Sequence, residues 1–220
     1  DQTYFLSQLR EDQLKNVIFP IGHLDKKEVR KIAIEQGLAT ATKKDSTGIC
    51  FIGERHFNDF LSNYLPAQPG DMKRLDGTYI KKHQGLMNYT IGQRKGLGIG
   101  GSQNEHHAWY VVGKDLNTNT LLVEPDENHP HLYSNEALIT DMIWRGPKIS
   151  GKMTAKFRYR QKDHEVDVVW QDDQSVLVKY PQTIKAVTPG QVCAFYQNEV
   201  CLGAGFIQEV YMDKIKRLYS

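Results

Sequence analysis

The final third of the sequence is a succession of short apolar segments separated by polar turns. From about Ala137 onward, six segments have the composition and alternation of β-strands, and no helical pattern separates them: ALITDMIW, MTAKFRYR, HEVDVVW, SVLVKY, QVCAFY and VCLGAGFIQEVY. An open sheet of such strands would expose two edges to unwanted pairing, and closing the sheet removes both. The sequence therefore predicts a closed antiparallel β-barrel over residues 133–220.

Residues 54–132 are predicted to form a small β-rich central domain. The segment LDGTYI carries Asp76-Gly77, a dipeptide typical of hairpin turns. The segment AWYVVGKDLNTNTLLVEP has the pattern of a strand, a polar turn and a second strand. One helical pattern, RHFNDFLSNYL, precedes these strands and ends at the proline-containing segment PAQPG.

The first 53 residues are predicted to be helical. In HLDKKEVRKIAIEQGL, Asp25 is a candidate N-cap and Glu28 follows at capping-box spacing. Apolar residues recur at helical spacing in this segment, and Gly37 is placed to end the helix. The predicted fold class is thus α+β and mostly β: a helical N-terminal segment, a small β-rich central domain and a C-terminal antiparallel barrel.

Composition excludes some classes of protein and leaves others open. The sequence has no apolar run of membrane-spanning length and no signal peptide, and its three cysteines, an odd number, favour a reducing compartment. The net charge of +2 does not by itself predict a polyanionic partner, but the basic residues are clustered. The chain begins without Met at Asp1, so we expect it to be a fragment of a longer protein.

A glycine-rich segment, TIGQRKGLGIGG, contains Gly96, Gly98 and Gly101 at G-x-G-x-x-G spacing. A dinucleotide site also needs a following helix, whereas SQNEHHAWYVV predicts a loop and then a strand. No Lys-Ser/Thr pair completes a P-loop either. The segment is either a loop offering backbone N–H groups and two cations or a glycine-rich hairpin tip. His106 and His107 lack the partners of a metal site and are predicted to lie in a polar loop.

The three cysteines differ in their surroundings. Cys193 and Cys201 lie on the strands of a predicted hairpin, where buried thiols usually pack as small apolar groups. Cys50 lies in the loop segment DSTGICFIG, and the nearby Lys43 and Lys44 would favour its thiolate. No histidine is selected by spacing as its base, so the residues alone leave Cys50 either reactive or structural.

Taken together, seven segments resemble the bacterial tRNA-specific 2-thiouridylases. They run in family order along nearly the whole chain: DQTYFL, DSTGICFIG, PAQPGDM, TIGQRKGLGIGG, WYVVGKD, FRYRQ and AVTPGQVCAFYQNEVCLGAGFI. The resemblance implies an upstream N-terminal ATP-pyrophosphatase domain, of which residues 1–53 are the tail, that binds ATP with Mg²⁺ and carries a first catalytic cysteine. It also implies that the C-terminal barrel is similar to a translation elongation factor barrel.

The resemblance implies that Cys50 is the cysteine that carries a persulfide. It also implies that the upstream cysteine releases the sulfur by forming a disulfide with Cys50. It implies tRNA contacts at Asp1, Gln2, Arg158, Tyr159 and Gln191, whose side chains are of the types that recognise RNA. The implied partners are tRNA and a sulfur-donor protein, the implied compartment is the cytoplasm, and no membrane or oligomeric state is implied. The alternative is a non-catalytic RNA-binding barrel module in which Cys50 is structural.

Overall fold

The fold was taken from a computed structural model that describes residues 3–44, 67–100 and 108–218. The chain divides into two compact units, Asp1–Arg10 with Ala67–Ser220, and Glu11–Pro66. The predicted helix over residues 55–65 lies outside the described residues, and so do the histidine pair at 106–107 and the loop that carries Cys50. The predicted domain boundaries at residues 53 and 132 stay predictions.

Helices are short and few in the described part of the chain. They are Thr3–Leu6 (α1), Glu11–Leu14 (α2) and Lys26–Glu35 (α3), with single 3-10 turns at Leu86–Asn88 and Pro130–Leu132. The predicted start of α3 is confirmed, because Asp25 is its N-cap and the Asp25 backbone N–H donates to Glu28 Oε2 at 2.8 Å. Gly37, at φ +65°, follows the helix end as predicted. None of the described helices is long and apolar enough to cross a membrane.

The central strands form a sheet of four. They are Gly70–Lys73 (β1), Tyr79–His83 (β2), Tyr110–Asp115 (β3) and Thr120–Glu124 (β4), in the order β2-β1-β4-β3. The predicted Asp76-Gly77 turn joins β1 to β2, with the Thr78 N–H donating to Asp76 Oδ1 at 2.8 Å and Gly77 at φ +89°. The predicted strand–turn–strand is the antiparallel pair β3–β4.

The remaining strands form the barrel. They are Tyr133–Trp144 (β5), Gly151–Lys156 (β6), His164–Trp170 (β7), Val176–Lys185 (β8), Val192–Gln197 (β9), Val200–Met212 (β10) and Ile215–Lys216 (β11). The sheet order is β11-β10-β5-β8-β7-β6-β9, and β10 also pairs with β9, so six strands close on themselves. The predicted closed antiparallel barrel and the mostly-β fold class are confirmed.

One large apolar core joins the small sheet to the barrel. Met72, Val111 and Leu121 of the small sheet belong to the same buried cluster as Ile139 and Val178 of the barrel. Backbone bonds add to this packing, since the Lys114 N–H donates to the Leu218 carbonyl at 3.0 Å and the Ala186 N–H donates to the Leu132 carbonyl at 2.8 Å. The small sheet and the barrel are therefore stabilised together.

Barrel closure depends on close backbone approach along β10. Gly203 pairs with Trp144 of β5 and with Phe195 of β9. The register with β9 shifts between Cys201 and Gly203, and the register with β5 shifts between Ala204 and Phe206. A Cβ atom at Gly203 would lie 2.2 Å from the carbonyl oxygen of Ile143, which is backbone and cannot move aside alone. Gly205 is similarly enclosed, 2.5 Å from the Thr140 carbonyl oxygen. Only glycine allows β10 to serve two partners at these positions.

We therefore expect Gly203→Ala to lower the free energy of unfolding by about 1–3 kcal/mol, the usual cost of overpacking a tight site. The measurement is the denaturant midpoint of the purified protein. The matched control is Gly100→Ala, because nothing lies within 4 Å of a Cβ atom there, and we expect it to change stability by less than about 0.5 kcal/mol. Equal midpoints for the two variants would contradict this view of closure.

Candidate nucleic-acid interface

Arg158 and Tyr159 lie in the turn that joins β6 to β7, and both are exposed. The sequence pattern placed them on a strand, and that placement is wrong, because β6 ends at Lys156. In a continuing strand the Phe157 N–H would donate to a neighbouring strand. Here it donates to the side-chain oxygen of Gln161 at 2.9 Å. Freed from strand alternation, both side chains can face solvent on the same side of the barrel.

The backbone of this turn is held in an uncommon conformation. Arg160 has φ +63°, in the left-handed region that non-glycine residues seldom adopt. The Gln161 N–H closes the turn by donating to the Arg158 carbonyl at 3.3 Å. The Arg160 guanidinium lies 5.2 Å from the centroid of the Tyr159 ring, within the range of a cation–π contact. The turn therefore combines exposed aromatic and cationic groups.

Tyr159 also contacts an aromatic residue from the start of the chain. The rings of Phe5 and Tyr159 are 4.4 Å apart between centroids and tilted by 46°, while Tyr4 lies 6.1 Å from Tyr159. Phe5 is 64% exposed and Tyr159 is 37% exposed. Sequence reasoning did not single out Phe5, because a lone phenylalanine in a short helix carries no pattern that predicts a distant ring partner.

Helix α1 is fixed on the barrel through Tyr4. The Tyr4 hydroxyl donates to the Val192 carbonyl at 2.8 Å. The Tyr4 side chain also packs against a buried cluster of Ala194, Tyr196 and Ala204. Burial is the main reason that the pKa of Tyr4 is raised to about 12, with Cys193 and Tyr196 adding to the effect. The hydroxyl therefore stays protonated and remains a donor throughout the physiological pH range.

A second anchor holds the residues that follow α1. Arg145 Nη2 donates to the carbonyl oxygens of Leu6, Ser7 and Leu9, at 3.1, 2.7 and 2.6 Å, and Arg145 Nη1 donates to the Cys201 carbonyl at 3.3 Å. A helix end leaves carbonyl groups without intrahelical partners, and a guanidinium can satisfy several of them at once. Residues 3–10, called here the N-terminal segment, are thereby bound to the barrel.

Gln191 precedes β9 and is half-buried. Its backbone carbonyl accepts from the Ile207 N–H at 2.8 Å, while its side-chain Oε1 is buried without a hydrogen-bond partner among the described residues. A buried acceptor of this kind is uncommon in native proteins. Gln191 is the chain neighbour of Val192, which binds Tyr4, and Tyr159 contacts Phe5, so two predicted RNA-contact residues lie beside the N-terminal segment. Asp1 and Gln2 lie outside the described residues.

Three family models match successive parts of the chain. A tRNA methyl transferase HUP domain matches residues 1–54, a tRNA methyl transferase PRC-barrel domain matches residues 58–125, and an aminomethyltransferase beta-barrel domain matches residues 134–207.

Curated relatives match along the whole chain. A tRNA-specific 2-thiouridylase of Acholeplasma laidlawii is 70% identical over 220 residues, covering 100% of this chain and 59% of the relative. Enzymes of the same name are 60% identical in Phytoplasma australiense and 54% identical in Bacillus pumilus, each with 100% of this chain and 59% of the relative covered. The chain belongs to the tRNA-specific 2-thiouridylase family. The resemblance seen in the sequence is confirmed, and the chain spans 59% of the length of these relatives.

The two cysteines among the described residues, Cys193 and Cys201, are free thiols. Cys193 pairs with Gly205 and Cys201 pairs with Tyr196, so the two residues are not opposite each other in the β9–β10 hairpin. Cys193 is buried, and its burial raises the pKa of the thiol well above its ordinary value. Cys193 therefore has the properties of a packing residue rather than of a nucleophile.

Two features that a nucleotide or metal site would need are not found among the described residues. After the glycine-rich segment, which is described as far as Gly100, the next described element is strand β3, so no described helix N-terminus lies there to bind a phosphate. Among the described residues, no three His, Cys, Asp or Glu side chains are grouped to hold a metal ion. Arg94 and Lys95 are exposed on this loop, and Lys81 Nζ holds it by donating to the Gly98 carbonyl at 2.8 Å.

We expect Arg145→Ala to release the N-terminal segment while the barrel stays folded. Hydrogen bonds to a charged group contribute about 1.5–3 kcal/mol, so amides in residues 3–9 should exchange about tenfold to a hundredfold faster. Hydrogen-exchange mass spectrometry of the full-length protein measures this directly. The control is Arg94→Ala, which removes an exposed arginine from the glycine-rich loop and should leave exchange in residues 3–9 unchanged. Unaltered exchange in Arg145→Ala would show that the anchor lies elsewhere.

Proposed function

We propose that this chain is the tRNA-handling and persulfide-bearing part of a tRNA sulfurtransferase that places sulfur on C2 of the wobble uridine. The observation that carries the proposal is 70% identity, along all 220 residues, to a protein named tRNA-specific 2-thiouridylase. The exposed aromatic and cationic turn at Arg158 and Tyr159 supports it, because these side chains suit RNA. The cytoplasm, where tRNA is found, is the proposed compartment.

In this proposal Cys50 delivers the sulfur. The Cys50 thiolate would attack the terminal sulfur of a persulfide on a donor protein, whose own thiolate leaves. The Cys50 persulfide formed in this step has a terminal sulfur that is a good nucleophile at neutral pH. That sulfur attacks C2 of the uridine, and the activated C2 oxygen leaves with its phosphate group. A cysteine from the rest of the full-length protein then attacks Cys50 Sγ, which releases 2-thiouridine and leaves a disulfide. Cys50 lies in a predicted loop, which suits a residue that must meet three partners.

The C2 oxygen of uridine is a poor leaving group, and ATP is the reagent that would activate it. The described residues offer no fitting site for ATP or Mg²⁺, so no step of the activation is assigned to this chain. We propose that both are bound by the part of the full-length protein that these residues do not include. This division agrees with relatives of which the chain covers 59%.

The remaining predicted residues are proposed to bind tRNA. In this proposal Arg158 binds a phosphate, Tyr159 stacks against a base, and Gln191 binds a base edge or a 2′-hydroxyl. Asp1 and Gln2 are proposed contacts on the strength of the family resemblance alone. The competing proposal is a non-catalytic RNA-binding module in which Cys50 is structural, and it shares these contacts.

Thiolation by the wild-type protein and by a Cys50 variant separates the two proposals. In the full-length protein, we expect Cys50→Ser to abolish thiolation of tRNA while leaving tRNA affinity nearly unchanged, because the hydroxyl cannot carry a persulfide. Thiolation is measured from the 2-thiouridine content of tRNA after incubation with ATP, magnesium and a persulfide donor. Cys201→Ser, the matched control at a half-buried free thiol, should retain thiolation. A normal thiolation rate in Cys50→Ser would contradict the persulfide assignment, whereas a full-length wild-type protein that binds tRNA without thiolating it would favour the non-catalytic module.

A further inference from the structure

We propose that Phe5 and Tyr159 form a platform on which one unpaired nucleobase of the tRNA stacks. Phe5 and Tyr159 together are called the aromatic platform. The proposal rests on the proposed function in one respect, namely that the full-length protein binds tRNA. It adds a base-binding residue, Phe5, to the predicted contacts, and it specifies the chemical class of the group that is bound.

The aromatic platform is exposed even though the segment that carries Phe5 is firmly docked. Tyr4 and Ser7 face the barrel, with Ser7 only 1% exposed, whereas the adjacent Phe5 remains 64% exposed. Docking of the N-terminal segment therefore does not need the Phe5 ring. Among the described residues, the Phe5 ring contacts Tyr4 edge to face at 5.9 Å and Tyr159 more closely, at 4.4 Å between centroids, and the Tyr159 ring is itself 37% exposed. Two neighbouring aromatic rings left open to solvent indicate a binding surface.

The charges around the aromatic platform favour a polyanion over an apolar protein partner. Arg158, Arg160 and Lys162 are exposed in the same turn, and none of them forms an ion pair with a described residue. The next carboxylate along the chain, Asp163, is paired with Lys156 at 3.2 Å and so does not neutralise them. Exposed aromatic rings beside unpaired cations are the combination that binds unpaired nucleotides, because bases stack while phosphates meet the cations.

The aromatic platform is also held in place before any ligand arrives. The Arg145 and Tyr4 bonds fix the backbone on one side, and the Phe157–Gln161 bond fixes the turn on the other. Little side-chain or backbone freedom would be lost on binding, which strengthens affinity. Bases within an RNA helix are already stacked on their neighbours, so the ligand must be an unstacked base from a loop or an end of the tRNA.

The test is the affinity of the full-length protein for tRNA, measured by filter binding at fixed salt. We expect Phe5→Ala and Tyr159→Ala each to weaken binding about 5- to 100-fold, the range found when an aromatic stacking partner of a base is removed. Phe5→Trp should bind as well as wild type, and Phe5→Leu, which keeps apolar bulk, should bind as weakly as Phe5→Ala. Tyr79→Ala, at a tyrosine 54% exposed on the small sheet, is the matched control and should not change affinity.

Two further readouts make the result specific to stacking. Phe5→Ala should leave the salt dependence of binding unchanged, whereas Arg158→Ala should reduce the slope by about one if it contacts phosphate. Unchanged hydrogen exchange in residues 3–9 of Phe5→Ala would show that the segment is still docked and that the loss is one of stacking. If wild type binds and thiolates tRNA but Phe5→Ala binds equally well, the aromatic platform alone is refuted. If wild type does not bind tRNA, the proposed function is refuted with it.

Discussion

Closure of the barrel by β10 is the constraint on which the rest of the larger unit depends. One strand of 13 residues pairs with β5 along one edge and with β9 along the other, and Gly203 and Gly205 allow the backbones to approach closely enough. Closure fixes the outer face of β9, where Tyr4 binds the Val192 carbonyl. Closure also brings the Leu202 carbonyl to the end of β5, where it accepts a hydrogen bond from the Arg145 N–H at 2.8 Å. This bond fixes the backbone of Arg145. The docking site of the N-terminal segment is thus a product of closure.

Most of the fold could be predicted from the sequence, because strand alternation and turn residues are local signals. All six predicted barrel segments contain a strand, and the Asp76-Gly77 hairpin and the α3 capping box are where the sequence placed them. The end of β6 could not be predicted. FRYR continues an alternating pattern, and only the three-dimensional structure shows that the Gln161 side chain replaces a strand partner. Hydrophobic periodicity indicates which residues can alternate between the two faces of a strand, whereas the residue at which the strand ends depends on tertiary contacts.

The candidate interface was predictable only in part, for the same reason. Arg158, Tyr159 and Gln191 came from a family resemblance. Tyr159 contacts Phe5, and the segment that carries Phe5 is held by Arg145, which is 139 residues from Leu6 in the chain. Phe5 belongs to the surface because of those distant bonds, which no local pattern contains. The net charge of +2 also conceals the local excess of cations at 158–162, because charge on other surfaces balances it. Cys50 lies outside the described residues, so its assignment as the persulfide carrier stays a proposal.

The central claim is that RNA binds where the N-terminal segment meets the β6–β7 turn. The most direct measurement is photo-crosslinking of full-length protein to tRNA, with p-benzoylphenylalanine in place of Tyr159 or, as the control, in place of Tyr79. Both tyrosines are exposed, at 37% and 54%, so accessibility alone does not favour position 159. We predict a crosslink from position 159 that maps to an unpaired tRNA nucleotide and is lost on competition with unlabelled tRNA. A competable crosslink from position 79 with none from position 159 would contradict the claim.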